Sequence, residues 1–374
     1  MKTIAFYLPQ FHPIPENDAW WGPGFTEWTN VASAKPLFRG HYQPQIPADL
    51  GFYDLRSDDI RQNQADLAVE YGISAFCYYH YWFNGKPLLE LPLERLLKSS
   101  APDFPFCVCW ANETWSRRWD GQDDQILIGQ DYLQYNVEDH FGYLESAFKD
   151  SRYLKVDDKP IFIIYRIDQI PNIEEIIIEW RAQAQKIGLK GIYICAVKSH
   201  MHQLDDKETI GLGFDALLDF QPTKSILKKR KLFNHLGSFL PRCINFLIRN
   251  TKLFSGLTEF NTINVYEYSS VVDAAIKMPK SKVIKFPCVF PSWDNTPRRK
   301  KKGASVIQNE KISDYKRWLA DALQRVKGYP EQERIVFINA WNEWAEGCHL
   351  EPDIKNKKKF LEATKEMIGN ADVR

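Results

Sequence analysis

The stretch Arg334-Ile335-Val336-Phe337-Ile338-Asn339-Ala340-Trp341-Asn342-Glu343-Trp344-Ala345-Glu346-Gly347 decides how the rest of the chain is read. It begins as a short apolar run of β-branched and aromatic residues, the mark of a strand covered on both faces. It then turns polar and aromatic, ending on two carboxylates and a glycine. A hydrophobic strand that releases Trp, Asn and Glu from its C-terminal end reads as the active-site rim of a parallel α/β fold. Acids here also suit a helix N-terminus, where the macrodipole favours negative charge. Capping does not call for flanking tryptophans, so Glu343 and Glu346 are the candidate catalytic pair.

Working outward, the same grammar recurs upstream. Apolar strand-like runs cover Thr3–Pro9, Ile73–Tyr79, Phe106–Trp110, Pro160–Tyr165, Gly191–Val197, Asp215–Phe220 and Lys282–Phe290. Between them, Asp58–Tyr71, Leu88–Ser99, Val137–Lys149, Ile173–Ile187 and Ser313–Val326 have helical spacing. Eight apolar strands alternating with helices, each ending in polar or aromatic residues, predict a single (β/α)8 barrel across residues 1–374. A doubly wound open sheet is the alternative. No Gly-rich phosphate loop follows the first strand, so neither that fold nor a nucleotide cofactor is expected. The long loop from Gln10 to about Asp54 is of the length that usually carries function.

Composition bounds the partners. The 44% hydrophobic content of these 374 residues supports a large core, and a net charge of +1 gives no general attraction to nucleic acid. Of seven cysteines, Cys77, Cys107, Cys109, Cys195 and Cys288 fall inside expected strands, where a free thiol behaves as a small hydrophobe. That predicts a reducing compartment rather than a disulfide framework. Met1-Lys2 runs directly into a strand without a signal-peptide core, and no apolar run reaches transmembrane length, so a cytoplasmic location is expected.

Ten of the twelve tryptophans, all but Trp180 and Trp318, fall at expected strand ends or in the loops after them. Indole faces stack on sugar C–H surfaces while their N–H bonds a hydroxyl. About half should instead pack the long loops. Candidate substrate-binding residues are Gln10, His12, Trp28, Tyr79, His80, Trp110, Asn112, Glu113, Trp115, Trp293, Trp341, Asn342 and Trp344. His200-x-His202 lacks the acidic or Cys neighbours of a usual metal site, so no metal is expected. His12 and His80 suit either the site or a satisfied place beneath the loops.

One segment breaks the barrel rhythm. Residues 224–258 mix Lys and Arg with Ile, Leu and Phe, and no acid occurs from Gln221 to Thr258. Such an insertion fits peripheral contact with an anionic membrane, and equally a lid or a subunit contact. The run Arg298-Arg299-Lys300-Lys301-Lys302 reads first as a solvated loop. A diphosphate or lipid headgroups are its other possible partners.

Trp341-Asn342-Glu343-Trp344-Ala345-Glu346-Gly347 followed by Leu350-Glu351-Pro352 resembles the signature of glycoside hydrolase family 99, the endo-α-mannosidases. Ala5-Phe6-Tyr7-Leu8-Pro9-Gln10-Phe11-His12, Gly24-Phe25-Thr26-Glu27-Trp28 and Trp110-Ala111-Asn112-Glu113-Thr114-Trp115 resemble more closely the WbsX-type proteins of bacterial O-antigen and capsule gene clusters. The resemblance implies a (β/α)8 fold and retaining chemistry at a mannose-like sugar. It implies that Glu343 takes the 2-hydroxyl proton, and that Glu346 protonates the leaving oxygen and later activates the acceptor. Ala345 and Cys348-His349 stand where the hydrolases usually carry Gly and Thr-Gln. An oligosaccharide or lipid-linked glycan is the implied substrate, and transfer to it, its hydrolysis and sugar binding without catalysis are the three readings. Paired acids push their pKa values apart, leaving one protonated near neutrality.

Overall fold

The run that opens the decisive stretch is a four-residue strand, Ile335–Ile338, with every residue buried. It is the last of eight barrel strands: β1 (Lys2–Tyr7), β2 (Ala75–Phe83), β3 (Phe106–Trp110), β4 (Lys159–Ile164), β5 (Tyr193–Val197), β6 (Ala216–Asp219), β7 (Lys285–Val289) and β8 (Ile335–Ile338). All pair in parallel with their neighbours in chain order. β1 pairs with both β8 and β2, so the sheet closes and has no edge. That closure settles the fold as a (β/α)8 barrel and excludes the open sheet. The computed structural model describes residues 1–117, 122–198, 204–227, 263–300 and 303–372. Most of the basic-apolar segment, from residue 228 on, lies outside the described residues, as do His200, His202, Lys301 and Lys302.

Among the described residues, eleven helices accompany the strands: α1 (Pro15–Trp21), α2 (Glu27–Ser33), α3 (Asp58–Glu70), α4 (Leu91–Leu97), α5 (Val137–Lys149), α6 (Ile173–Lys186), α7 (Asp206–Gly211), α8 (Tyr268–Ile276), α9 (Thr296–Arg299), α10 (Ile312–Val326) and α11 (Lys359–Asp372). α10 shows why they lie outside the barrel. Its Tyr315, Trp318, Leu319, Ala322, Leu323 and Val326 are buried at helical spacing, one stripe against the sheet. Among the described residues no helix is long and apolar enough to cross a membrane.

Inside the barrel, Phe6 of β1 packs on Tyr79, Phe220 and Phe337 with ring centroids 5.3, 5.2 and 5.5 Å away. This aromatic layer fills the barrel beneath its C-terminal mouth, as side chains do in this fold. Truncating Phe337 to Ala would leave a cavity there, at about 3–5 kcal/mol. The cysteines at 77, 107, 109, 195 and 288 are free and buried in strands, and Cys348 is buried beside the mouth. The main departure from the sequence reading is β2, which continues to Phe83 and carries His80, Tyr81 and Trp82 inside the strand.

Candidate active site

Beyond β8 the chain reverses through Asn342–Glu343 and a short 3-10 turn, Trp344–Glu346. Asn342 fixes this turn to β1: Leu8 N–H donates to its Oδ1 at 2.7 Å and its Nδ2 donates to Leu8 O at 3.0 Å. Glu343 and Glu346 are thereby held over the barrel mouth. Arg298 of α9 joins them. Its guanidinium donates to Glu346 Oε1 at 2.8 Å, Glu343 Oε2 at 3.0 Å and Glu27 Oε1 at 2.7 Å. Three carboxylates therefore share one cation. Glu27, at the start of α2, is completely buried, and its Oε2 has no hydrogen-bond partner among the described residues.

The electrostatics follow from burial. Loss of solvation pushes the Glu343 carboxyl up to about 8; Arg298 opposes that rise, and Glu346 and Glu27 add to it. Burial likewise raises Glu27, against the pull of Arg298. One member of the acid pair thus holds its proton at neutral pH, as paired acids in a dry site should.

The placement of Arg298 corrects the reading of its run as a solvated loop. Asp294 organises the turn before it. Thr296 N and Oγ1 donate to Asp294 Oδ1 at 3.0 and 2.6 Å. The other oxygen, Oδ2, accepts from Gln43 Nε2 at 2.7 Å and lies 2.6 Å from His41 Nε2. Gly347 closes the packing. At φ +56° a β-carbon on it would sit 2.7 Å from Gln45 Nε2 and 3.0 Å from the Asp294 backbone nitrogen, so glycine is required.

Above the acids opens a cavity of about 550 Å³. Its walls include Gln10, Tyr79, Glu113, Trp115, Trp293, Glu343 and Glu346 from the sequence-derived candidates. They also include Trp21, Tyr81, Tyr165 and Arg298, which that reading left out. Tyr81 was legible in principle, since it shares a strand face with Tyr79 at period two. Arg298 was not, because nothing in a basic run marks the member that turns inward. Glu113 binds Arg166 at 2.7 Å, and Arg166 in turn binds Asp168 at 2.7 Å. Gln10 Nε2, Ser116 Oγ and Arg298 Nε are buried on these walls with no partner among the described residues. Unsatisfied buried polar atoms cost about 1–3 kcal/mol each. A hydroxyl-rich ligand in this cavity would satisfy them.

The remaining candidates lie behind the cavity wall, for two physical reasons. The first is strand alternation. Tyr79 and Tyr81 face inward, so His80 faces out, where its Nε2 lies 2.8 Å from His140 Nε2. Burial lowers His80 to about 3, and both imidazoles are neutral. Likewise Ala111 and Glu113 line the cavity, while Trp110 stacks on Tyr135 at 4.9 Å and Asn112 clamps the loop after β4. The second reason is that the indole N–H groups of Trp28, Trp344 and Trp110 are already committed. Trp28 donates to Tyr53 O at 2.7 Å, Trp344 to Glu351 Oε2 at 2.6 Å and Trp110 to Trp82 O at 3.3 Å. Trp341 is fully buried against Phe76, with centroids 5.0 Å apart. His12 is buried beneath the first loop, where burial lowers it to about 4. Among the described residues, no group of three or more His, Cys, Asp or Glu side chains is placed to hold a metal ion.

The closed (β/α)8 barrel thus sets two carboxyl groups, Glu343 buried and Glu346 part-exposed, at its C-terminal rim beneath an aromatic-walled cavity. The chain belongs to the WbsX glycosyltransferase family, whose model, described as Glycosyltransferase WbsX, matches residues 3–364. It is 39% identical over 373 residues to the uncharacterized protein WxcX of Xanthomonas campestris pv. campestris, covering 98% of this chain and 50% of WxcX. A WxcX from a second strain of that pathovar matches equally, at 39% identity. The chain thus spans about half the length of these curated relatives. Among solved structures it resembles the family 99 endo-α-mannosidase of Bacteroides thetaiotaomicron, with a TM-score of 0.57 and 15% identity over 100% of this chain and 97% of that one. A glycoside hydrolase-like protein matches at a TM-score of 0.58 and 12% identity, over 98% and 93% of the two chains. These structural likenesses establish the fold.

Proposed function

We propose that this protein makes or breaks the glycosidic bond of a mannose-like sugar with retention of configuration, using Glu343 and Glu346. The observation that carries this reading is the convergence of both acids on the Arg298 guanidinium at the floor of the cavity. Glu343 accepts the proton of the sugar 2-hydroxyl as that oxygen attacks the anomeric carbon. Glu346 gives its proton to the departing glycosidic oxygen. In the second step an acceptor oxygen attacks the same carbon and passes its proton to Glu346, while the 2-oxygen recovers its own from Glu343. Two inversions give retention. A base with a pKa near 8 is well matched to an alcohol proton, because general-base efficiency peaks when the pKa lies near the working pH.

Transfer rather than hydrolysis is supported by membership of a glycosyltransferase family. On that reading the natural substrate is a lipid-linked glycan of a cell-surface polysaccharide, assembled in the cytoplasm at the inner membrane face. The 224–258 segment would make the membrane contact, its eight basic residues contributing on the order of 1 kcal/mol each near an anionic leaflet. The test is incubation with lipid-linked oligosaccharide and with free α-mannosides, followed by mass spectrometry. Gain of a sugar identifies a transferase and loss identifies a hydrolase. No change in either substrate would leave a sugar-binding protein. Sedimentation with anionic vesicles at low and high salt checks the docking segment separately.

A further inference from the structure

The charges in the cavity are arranged unevenly. At the floor, Glu27, Glu343 and Glu346 share Arg298 as their one cation among the described residues, and Glu113 is matched by Arg166. The cavity lining also carries Lys224, on the loop after β6, and Arg299, at the end of α9. Neither has an ion-pair or hydrogen-bond partner for its side chain among the described residues. Their own loops cannot supply one, because no Asp or Glu occurs from Gln221 to Thr258 or from Asn295 to Asn309. Two cations thus line a cavity whose floor holds more carboxylates than cations. The overall charge of +1 shows that this concentration is local.

We propose that Lys224 and Arg299 form a subsite for an oxyanion, a phosphate or carboxylate, borne by the ligand whose sugar ring lies over Glu343 and Glu346. This rests on the glycosyl reading of the cavity. A neutral glycan gives no reason to hold two unpaired cations at the wall, whereas guanidinium and ammonium groups are the usual partners of phosphate and carboxylate oxygens. The carboxylates of the floor repel an anion, so Lys224 and Arg299 are the lining cations left to hold the charged group. The ligand is therefore polarised, with hydroxyls toward the acids and the anion toward Lys224 and Arg299.

Calorimetry on the full chain tests this with inorganic pyrophosphate, and with mannuronate against mannose, for wild type and Lys224→Gln/Arg299→Gln. Tenfold or greater weakening of pyrophosphate binding in the double variant assigns a phosphate. Mannuronate binding at least tenfold tighter than mannose, with the advantage lost in the double variant, assigns a carboxylate. The subsite is overturned if wild type prefers neither anion over mannose, or if the double variant binds both as wild type does. Thermal melts of the single variants guard against misfolding, and Lys224→Gln at an exposed position should by itself show part of the loss. Because the readout is binding, its failure is separable from that of the proposed chemistry, which is read by turnover.

Discussion

Two rims of the barrel use nearly the same words for different ends. After β3 the chain reads Trp110-Ala111-Asn112-Glu113-Thr114-Trp115, and after β8 it reads Trp341-Asn342-Glu343-Trp344. In each, the asparagine amide grips the backbone after the next strand around the barrel by two hydrogen bonds. Asn112 holds Arg166 at 2.7 and 2.9 Å, and Asn342 holds Leu8 at 2.7 and 3.0 Å. In each, the following glutamate faces the cavity and meets an arginine. The difference lies in how far the acid is taken from water and how many acids share the cation. Glu113 keeps 34% of its side chain exposed, opposite Arg166. Glu343 keeps 6% and shares Arg298 with two other carboxylates, which leaves it protonated at neutrality. One motif makes an ion pair and the other makes a carboxyl that exchanges its proton near neutral pH.

The largest expected effect separates the two glutamates outright. Glu343→Gln and Glu346→Gln should each lower turnover by about 10²–10⁴-fold, the usual reach of a general acid or base, with thermal stability near wild type. Glu113→Gln should weaken substrate binding and spare most of kcat. Steady-state kinetics on whichever glycan the mass spectrometry identifies decides it. More than about a tenth of wild-type activity in either variant of the pair contradicts the assignment.

Arg298 comes next. Arg298→Met removes the one cation that, among the described residues, pairs with these three acids, including fully buried Glu27. Stranding a buried charge costs about 3–5 kcal/mol, so the melting temperature should fall by many degrees. The double variant Arg298→Met/Glu27→Gln should recover much of that stability without recovering turnover. A stable single variant would show that the guanidinium is dispensable to the floor.

The pH dependence sharpens the contrast further. Folding raises the Glu343 pKa from its ordinary value to about 8, so the native state binds a proton that the unfolded state has released between roughly pH 4.5 and 8. This contribution to stability is present below that window and is lost as pH rises through it. Melting temperatures from pH 5 to 9 should fall over this range in wild type and less in Glu343→Gln. The same ionisation should give kcat/KM a limb that rises toward about pH 8, as the base form appears. A rate flat from pH 6 to 9 argues against Glu343 as the base.

The smallest effect concerns the clamps. Asn112→Ala and Asn342→Ala each delete two hydrogen bonds to buried backbone, at about 1–3 kcal/mol. Similar losses in denaturant unfolding are expected from the pair, but Asn342→Ala should also cut activity because the acid turn hangs on it. Equal kinetic effects would mean that Asn112 bears on the chemistry as directly as Asn342.

How much of this was legible can be traced residue by residue. The barrel was, because apolar runs and helical stripes recur at regular distance, and Val137–Lys149 forms with the bounds its pattern predicts. The acid pair was singled out because acids and tryptophans crowd the end of a buried strand. The aromatic assignments were less reliable. Trp28, Trp110, Trp341 and Trp344 look in sequence like Trp115 and Trp293, yet only the last two line the cavity. A tryptophan near a strand end turns in or out according to strand register and to which carbonyl or carboxylate claims its N–H.

By itself, then, the sequence determined the closed eight-strand architecture and the place along the chain where acids are displayed. Those are properties of local periodicity and of what lies at each strand end. The tertiary structure alone decided that Arg298, out of a run of five basic residues, reaches across to acids 271 positions earlier and 45 and 48 positions later. It decided too that Glu343 holds a proton at neutral pH, since that depends on desolvation and shared counter-charge. Neither quantity exists until strands β1, β7 and β8 bring Glu27, Arg298 and Glu343 to one point.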